Sequence, residues 1–283
     1  MSIDLLGRHV LHHALFLAHA ASACYDSSLL HDKGFKSFGF DEIVDFAPDD
    51  NRLPIRKEIA ADWTSESARG FIGSNENAIV LAFRGTDDVA DWLINLNVVQ
   101  IEDHGALVHR GFSQALTAVW PRIEAKLLSL LDDRPRKIWI TGHSLGGALA
   151  TLAALRIQRL GIEQLETCTF GQPRVGNRSL AEQITSPFYR FAYYADPVCH
   201  APFSVPRTMH YKHAGTLKQI DATGRIVDHD SHFLTRILSK FLSVTQVADD
   251  FLSNDLESFL SRRISDHNMS NYIEKIEGIL KIE

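Results

Sequence analysis

The stretch KIWITGHSLGGALATLAAL, residues 137 to 155, limits the fold more than any other part of the chain. It opens as an apolar, strand-like run over 137–141, and from Leu145 its apolar residues recur with helical spacing up to Gly161. Only Gly142-His143-Ser144-Leu145-Gly146 lies between them, so strand must turn sharply into helix. At such a turn a serine oxygen is raised above the sheet, and glycines on either side relieve the crowding. The helix N-terminus brings backbone N–H groups and the positive end of a dipole to the same place. Ser144 is therefore a candidate nucleophile; the competing role is a buried capping serine.

The rest of the chain repeats this strand-then-helix order. AIVLAF (78–83) reads as a strand and 112–131 as a helix despite Pro121, while TCTFG (167–171) and YRFAYY (189–194) read as further strands. Such alternation predicts an α/β fold: βαβ units, a mainly parallel central sheet with helices on both faces, and ligands at the carboxyl ends of strands. A turn at 221–224 predicts an edge hairpin, with His210 and His213 in its first strand, followed by a helical pattern over 233–264 and a last helix after it. At the other end, Leu11, Ala14, Leu15, Ala18 and Ala21 share one helical face, which predicts an amphipathic first helix rather than a leader, since Asp4 and four histidines interrupt the apolar segment. No repeat or linker divides the 283 residues, so residues 1–283 read as a single domain.

Composition excludes several functions. A net charge of −6 with no basic run argues against nucleic acid, and no 18-residue apolar run is present for a transmembrane segment. Cys24, Cys168 and Cys199 are odd in number and widely spaced, which suggests neither disulfides nor zinc; no metal or cofactor is expected, and a reducing, cytoplasmic compartment fits best.

A serine hydroxyl needs a histidine base that a carboxylate orients. Where an elbow carries the nucleophile, the chain order is serine, acid, histidine, which excludes every candidate before residue 144. Asp196 follows a predicted strand directly and is favoured over Asp221, Asp228 and Asp230, which read as turn residues. The histidine is less constrained. His200 lies close to Asp196, His210 and His213 fall in a predicted strand, DHDSH (228–232) reads as a polar loop rather than a metal cluster, and His267 lies on a loop before the last helix, from which it can reach a cleft.

FRGT (83–86), DWLINL (91–96), VHRGF (108–112), GHSLGGALA (142–150), FGQPRVGN (170–177), DPV (196–198) and HNMSNYI (267–273) occur in the order found in the class 3, or fungal-type, lipases of the α/β-hydrolase superfamily, which the chain resembles. The resemblance implies Ser144 as nucleophile, Asp196 as acid and His267 as base, with an oxyanion hole from the backbone N–H groups of Thr86 and Leu145. It implies a lipid or ester substrate met at a lipid–water interface, a phospholipase A1 or a soluble-ester carboxylesterase being the nearest alternatives. A non-catalytic lipid-binding protein would be expected to have lost a triad member, and none is missing. The segment after Thr86 corresponds to the family's lid: Val89, Trp92, Leu93 and Leu96 share one face, as an interfacial helix would require, although a fixed surface helix gives the same pattern. Phe112 is expected to line the pocket, and the neighbouring His109 to be structural.

Overall fold

The computed structural model describes residues 7–26, 39–48, 68–94, 98–132, 134–194, 196–202, 210–227 and 264–281. In chain order the elements are α1 (Gly7–Ala23), β1 (Glu42–Phe46), β2 (Gly70–Ser74), β3 (Ala78–Phe83), α2 (Val89–Ile94), β4 (Gln100–Asp103), β5 (Ala106–His109) and α3 (Arg110–Asp132). There follow β6 (Lys137–His143), α4 (Leu145–Arg159), β7 (Leu165–Phe170), α5 (Arg178–Gln183), β8 (Phe188–Tyr193), β9 (Thr216–Ile220), β10 (Ile226–Val227) and α6 (Met269–Lys281). Strands β3, β6, β7, β8 and β9 are parallel neighbours, and β1, β2 and β10 extend the sheet with antiparallel edges. A separate antiparallel ribbon pairs β4 with β5.

Alternation along the strands divides the core into two layers. On β3, Ile79, Leu81 and Phe83 join the cluster that α3 and α4 cover, while Val80 and Ala82 join the one beneath α1 and α6. The predicted face of α1 is the buried one: Leu11, Ala14, Ala18 and Ala21 pack there with Met269, Tyr272 and Ile276 of α6. Helix α3 runs through Pro121, which sits on its exposed side, where a missing N–H leaves no buried group unpaired. Among the described residues no helix is long and apolar enough to cross a membrane.

The structure departs from the sequence pattern in places. β1, β2 and the β4–β5 ribbon were not legible as strands. β9 and β10 form the expected hairpin, but His210 and His213 lie before it: their segment pairs only through an isolated β-bridge from Lys212 to Gly176, and His213 turns inward. The helical pattern over 233–264 and the DHDSH stretch lie outside the described residues, residue 264 excepted.

The turn from β6 into α4 depends on an absent side chain. A Cβ on Gly146 would collide with the carbonyl oxygen of Phe83 at the end of β3, and stand 2.9 Å from the Arg84 carbonyl carbon. Both obstacles are backbone of a buried strand and its exit, which cannot rotate away. Gly146→Ala should therefore destabilise the protein by roughly 2 kcal/mol or more, read as a lower urea midpoint at unchanged m-value.

Candidate active site

Neighbouring parallel strands deliver their carboxyl ends to one place: Ser144 follows β6, Gly171 follows β7 and Asp196 lies just beyond β8. Ser144 has φ 58° and ψ −127°. A non-glycine residue in the left-handed half of backbone space is strained by about 1–3 kcal/mol. Hydrogen bonds on both sides hold it there: its N–H donates to the Phe170 carbonyl (3.0 Å), and its own carbonyl accepts from Gly147 (2.9 Å) in the first turn of α4.

His267 ends a short 3-10 turn, Ile264–His267, immediately before α6. The following Asn268 accepts the Ser270 N–H through its side chain (3.0 Å), which caps α6 and fixes where the preceding histidine stands. The His267 Nδ1 is 2.8 Å from Asp196 Oδ2, with both side chains at 3% exposure or less. A carboxylate has no proton to give, so Nδ1–H donates and Nε2 keeps its lone pair. Gly171 permits this pairing, because a Cβ there would lie 2.6 Å from His267 Cε1 and 2.9 Å from Asp196 Oδ2.

Asp196 has two further donors, the Tyr272 hydroxyl at 2.6 Å on Oδ2 and the Val198 N–H at 2.9 Å on Oδ1. Burial alone would push its carboxyl up, but the His267 and Tyr272 contacts outweigh this and hold it at about 2. Burial and the Asp196 charge together push the Tyr272 phenol upward, so it remains a donor. The loop beyond Asp196 is clamped from behind. Arg174 donates to the carbonyls of His200 and Pro202, and His213 Nε2 lies 2.8 Å from the Cys199 carbonyl. Burial and the nearby Arg190 and Arg174 push His213 well down, so this neutral ring donates one N–H to that carbonyl. Tyr272, Arg174 and His213 were not expected from spacing; Arg174 lies in FGQPRVGN and Tyr272 in HNMSNYI, motifs whose remaining residues had no assigned task.

The structure thus brings Ser144, Asp196 and His267 to one buried centre. Ser144 Oγ and His267 Nε2 are both buried, and neither makes a hydrogen bond among the described residues. Thr86 is half-buried one residue beyond Gly85, whose Cβ would stand 3.1 Å from Ser144 Cβ, so the Thr86 turn lies against the serine; Leu145 is the first residue of α4. In α2, Trp92 is wholly buried with its ring stacked on Phe112 (6.3 Å between centroids), and Phe112 stacks on His109 (4.1 Å). Val89 and Leu93 pack half-buried against the same cluster, which includes Leu145 and Val198, while Leu96 lies outside the described residues. His200 is buried but belongs to the clamped loop, and His210 is exposed.

His143, the residue before Ser144, makes the fold sensitive to acid. Burial and the adjacent His267 push its imidazole down to about 3 from 6.5. Below pH 6.5 the unfolded chain binds a proton that the folded chain refuses, so stability present above that pH is lost progressively towards about pH 3, by about 1.4 kcal/mol per unit. Asp196 adds a separate loss lower down, between 3.8 and about 2. Urea midpoints measured from neutral pH to about pH 4.5 should fall, and His143→Gln should flatten that dependence by about one proton.

Residues 80–206 match the sequence profile of the family described as lipase (class 3). The chain is 34% identical to a lipase of Rhizomucor miehei over 154 residues, covering 50% of this chain and 42% of that protein. It is 33% identical to the secreted mono- and diacylglycerol lipase A of Penicillium cyclopium over 150 residues, covering 50% of this chain and 49% of the relative. The chain thus spans less than half the length of these relatives. The solved triacylglyceride lipase of Rhizomucor miehei superposes with a TM-score of 0.65 at 22% identity, covering 82% of this chain and 90% of that one, which shows the α/β-hydrolase fold. The expectation of a cytoplasmic compartment is corrected here, because the Penicillium relative is named as secreted and points to secretion. Cysteine count misled because a chain of this length buries enough core without disulfide staples, whatever its compartment; all three cysteines are free. Ser144, Thr86 and Asp196 fall inside the profile match and His267 beyond it; over residues 80–206 the chain is similar to the class 3 lipases, and its fold is that of the α/β-hydrolases.

Proposed function

We propose that the chain, acting as one domain, is a serine carboxylic-ester hydrolase that cleaves acylglycerol esters as a lipase. The observation that carries this reading is the buried His267 ring held through Nδ1 by Asp196 at 2.8 Å beside the turn that displays Ser144, with His267 Nε2 and Ser144 Oγ left without a hydrogen-bond partner among the described residues. In the proposed cycle Ser144 Oγ attacks the ester carbonyl carbon while His267 Nε2 takes the hydroxyl proton. The N–H groups of Thr86 and Leu145 hold the oxyanion; the tetrahedral species then expels the alcohol, which leaves with the proton from His267. Water, deprotonated by the same nitrogen, attacks the acyl-serine; the carbonyl carbon–Oγ bond breaks, His267 returns the proton to Ser144 Oγ, and the carboxylic acid leaves. Asp196 stays ionised throughout and stabilises the imidazolium. The names of the relatives support glyceride esters as the substrate class.

A serine-directed phosphonate should add one label to the wild type and none to Ser144→Ala. His267→Ala should lose ester hydrolysis by several orders of magnitude, about as much as Ser144→Ala, because triad members act as a unit. His200→Ala and His232→Ala should stay within about tenfold of wild type. Full hydrolysis by Ser144→Ala would refute the assignment. Rates across esters from short to long chains, with triolein and phosphatidylcholine, separate lipase from esterase and phospholipase.

We further propose that α2 is a closed lid. With Trp92 wholly buried and Leu93 at the edge of the same cluster, opening would expose apolar surface worth several kcal/mol at about 25 cal/mol per Å² until a lipid surface covers it. The rate on an emulsified ester should therefore rise more steeply than linearly once substrate passes its solubility limit. Truncating Trp92 would cost about 3–5 kcal/mol of stability, so Leu93→Asp is the cleaner variant: it should lose the rise yet keep most activity on a soluble short-chain ester. A smooth hyperbola in both proteins would show α2 to be a fixed wall.

A further inference from the structure

His143 stands between two groups that together dictate its protonation. Its Nε2 is 2.7 Å from the backbone carbonyl oxygen of His267, and its Nδ1 is 2.8 Å from the hydroxyl of Tyr25. A carbonyl only accepts, so Nε2 carries the proton. The ring is buried and held neutral, which leaves Nδ1 a lone pair and makes the Tyr25 hydroxyl the donor to it. The Tyr25 oxygen in turn accepts the Gly85 N–H, and burial keeps its proton in place. A Cβ on Gly85 would collide with that oxygen and lie 2.6 Å from the His143 carbonyl, so only glycine allows the approach. Each link has one possible direction: Gly85 N–H to Tyr25, Tyr25 O–H to His143, His143 N–H to the His267 carbonyl. The His143 ring also stacks on the His267 ring, 4.3 Å between centroids at 30°.

We infer that Tyr25 and His143 are positioning residues for the base: this hydrogen-bond chain, running from the turn before Thr86 to the backbone of His267, fixes where His267 stands relative to Ser144. The inference rests on the proposed ester hydrolysis. Neither residue touches the reacting atoms; both act through His267. Without the Tyr25 hydroxyl, His143 is free to move its proton to Nδ1, and Nε2 then turns a lone pair on the His267 carbonyl and repels it. Neutrality also matters to the stacking, because a protonated His143 beside His267 would oppose the imidazolium that forms during turnover.

The test uses the whole protein with p-nitrophenyl butyrate and a serine-directed phosphonate. Tyr25→Phe should lower kcat, and the labelling rate of Ser144 with it, by between about tenfold and a hundredfold, as sub-ångström misplacement of a base does, while KM stays within about threefold. His143→Gln, whose amide N–H can replace the bond to the His267 carbonyl, should retain clearly more activity than His143→Leu, although both lose the ring. Selective ¹⁵N-histidine labelling of the wild type should show His143 as the Nε2–H tautomer, untitrated from about pH 8 to pH 5, a readout that survives any failure of a variant to fold. Tyr25→Phe within twofold of wild type in both rates, with Ser144→Ala inactive, would overturn the positioning role and leave ester hydrolysis standing. An Nδ1–H tautomer, or titration near the ordinary histidine range, would overturn it too. A wild type that neither hydrolyses esters nor takes the label would instead defeat the hydrolase reading, and the positioning role with it.

Discussion

Backbone held against its own preference at Ser144 is the constraint on which the site depends. Its strain of about 1–3 kcal/mol persists because the surroundings leave the turn no room to relax. The end of β3 presses on Gly146, the Phe170 carbonyl at the end of β7 takes the Ser144 N–H, and Gly85 lies against the serine from the third side. Because β3, β6 and β7 are adjacent and parallel, their ends reach this point together. The sheet order is therefore what allows a serine to be displayed rather than folded into a cap.

The acid and the histidine obey a different rule. A carboxylate that is 1% exposed is tolerated only when its lone pairs are met, and Asp196 meets three donors. One of these, Tyr272, comes from the same helix whose cap places His267, so acid and histidine are tied together twice. Around them the buried histidines are kept uncharged: burial pushes both His143 and His213 down, so each serves as a neutral donor to a carbonyl.

Much of this was legible in the sequence and some was not, for reasons that differ by residue. The elbow was legible because its glycines, its strand and its helix are contiguous, and local sterics alone demand that arrangement. Asp196 was legible because it directly follows a strand. His267 could be reached only through a family resemblance, since 71 residues separate it from the aspartate it meets and no local pattern encodes that distance. Tyr25 had no signal, Tyr272 stood in a motif without a task, and His213 read only as part of a strand. A tyrosine on an amphipathic helix face reads as core, and only the fold reveals what its hydroxyl touches. β1 and β2 escaped notice because one contains acidic residues and the other two glycines, and their pairing depends on neighbours rather than on propensity.

The packing of α1 against α6 has a consequence for how the site comes into being. Tyr25 follows α1, the first described helix, and His267 precedes α6, the last, while Ser144 sits midway between them. During synthesis the strained serine is complete long before the residues that would activate it have left the ribosome. The proposed chemistry therefore begins only when two helices made at different times close on each other across the sheet, and until then the nascent chain carries its nucleophile unarmed.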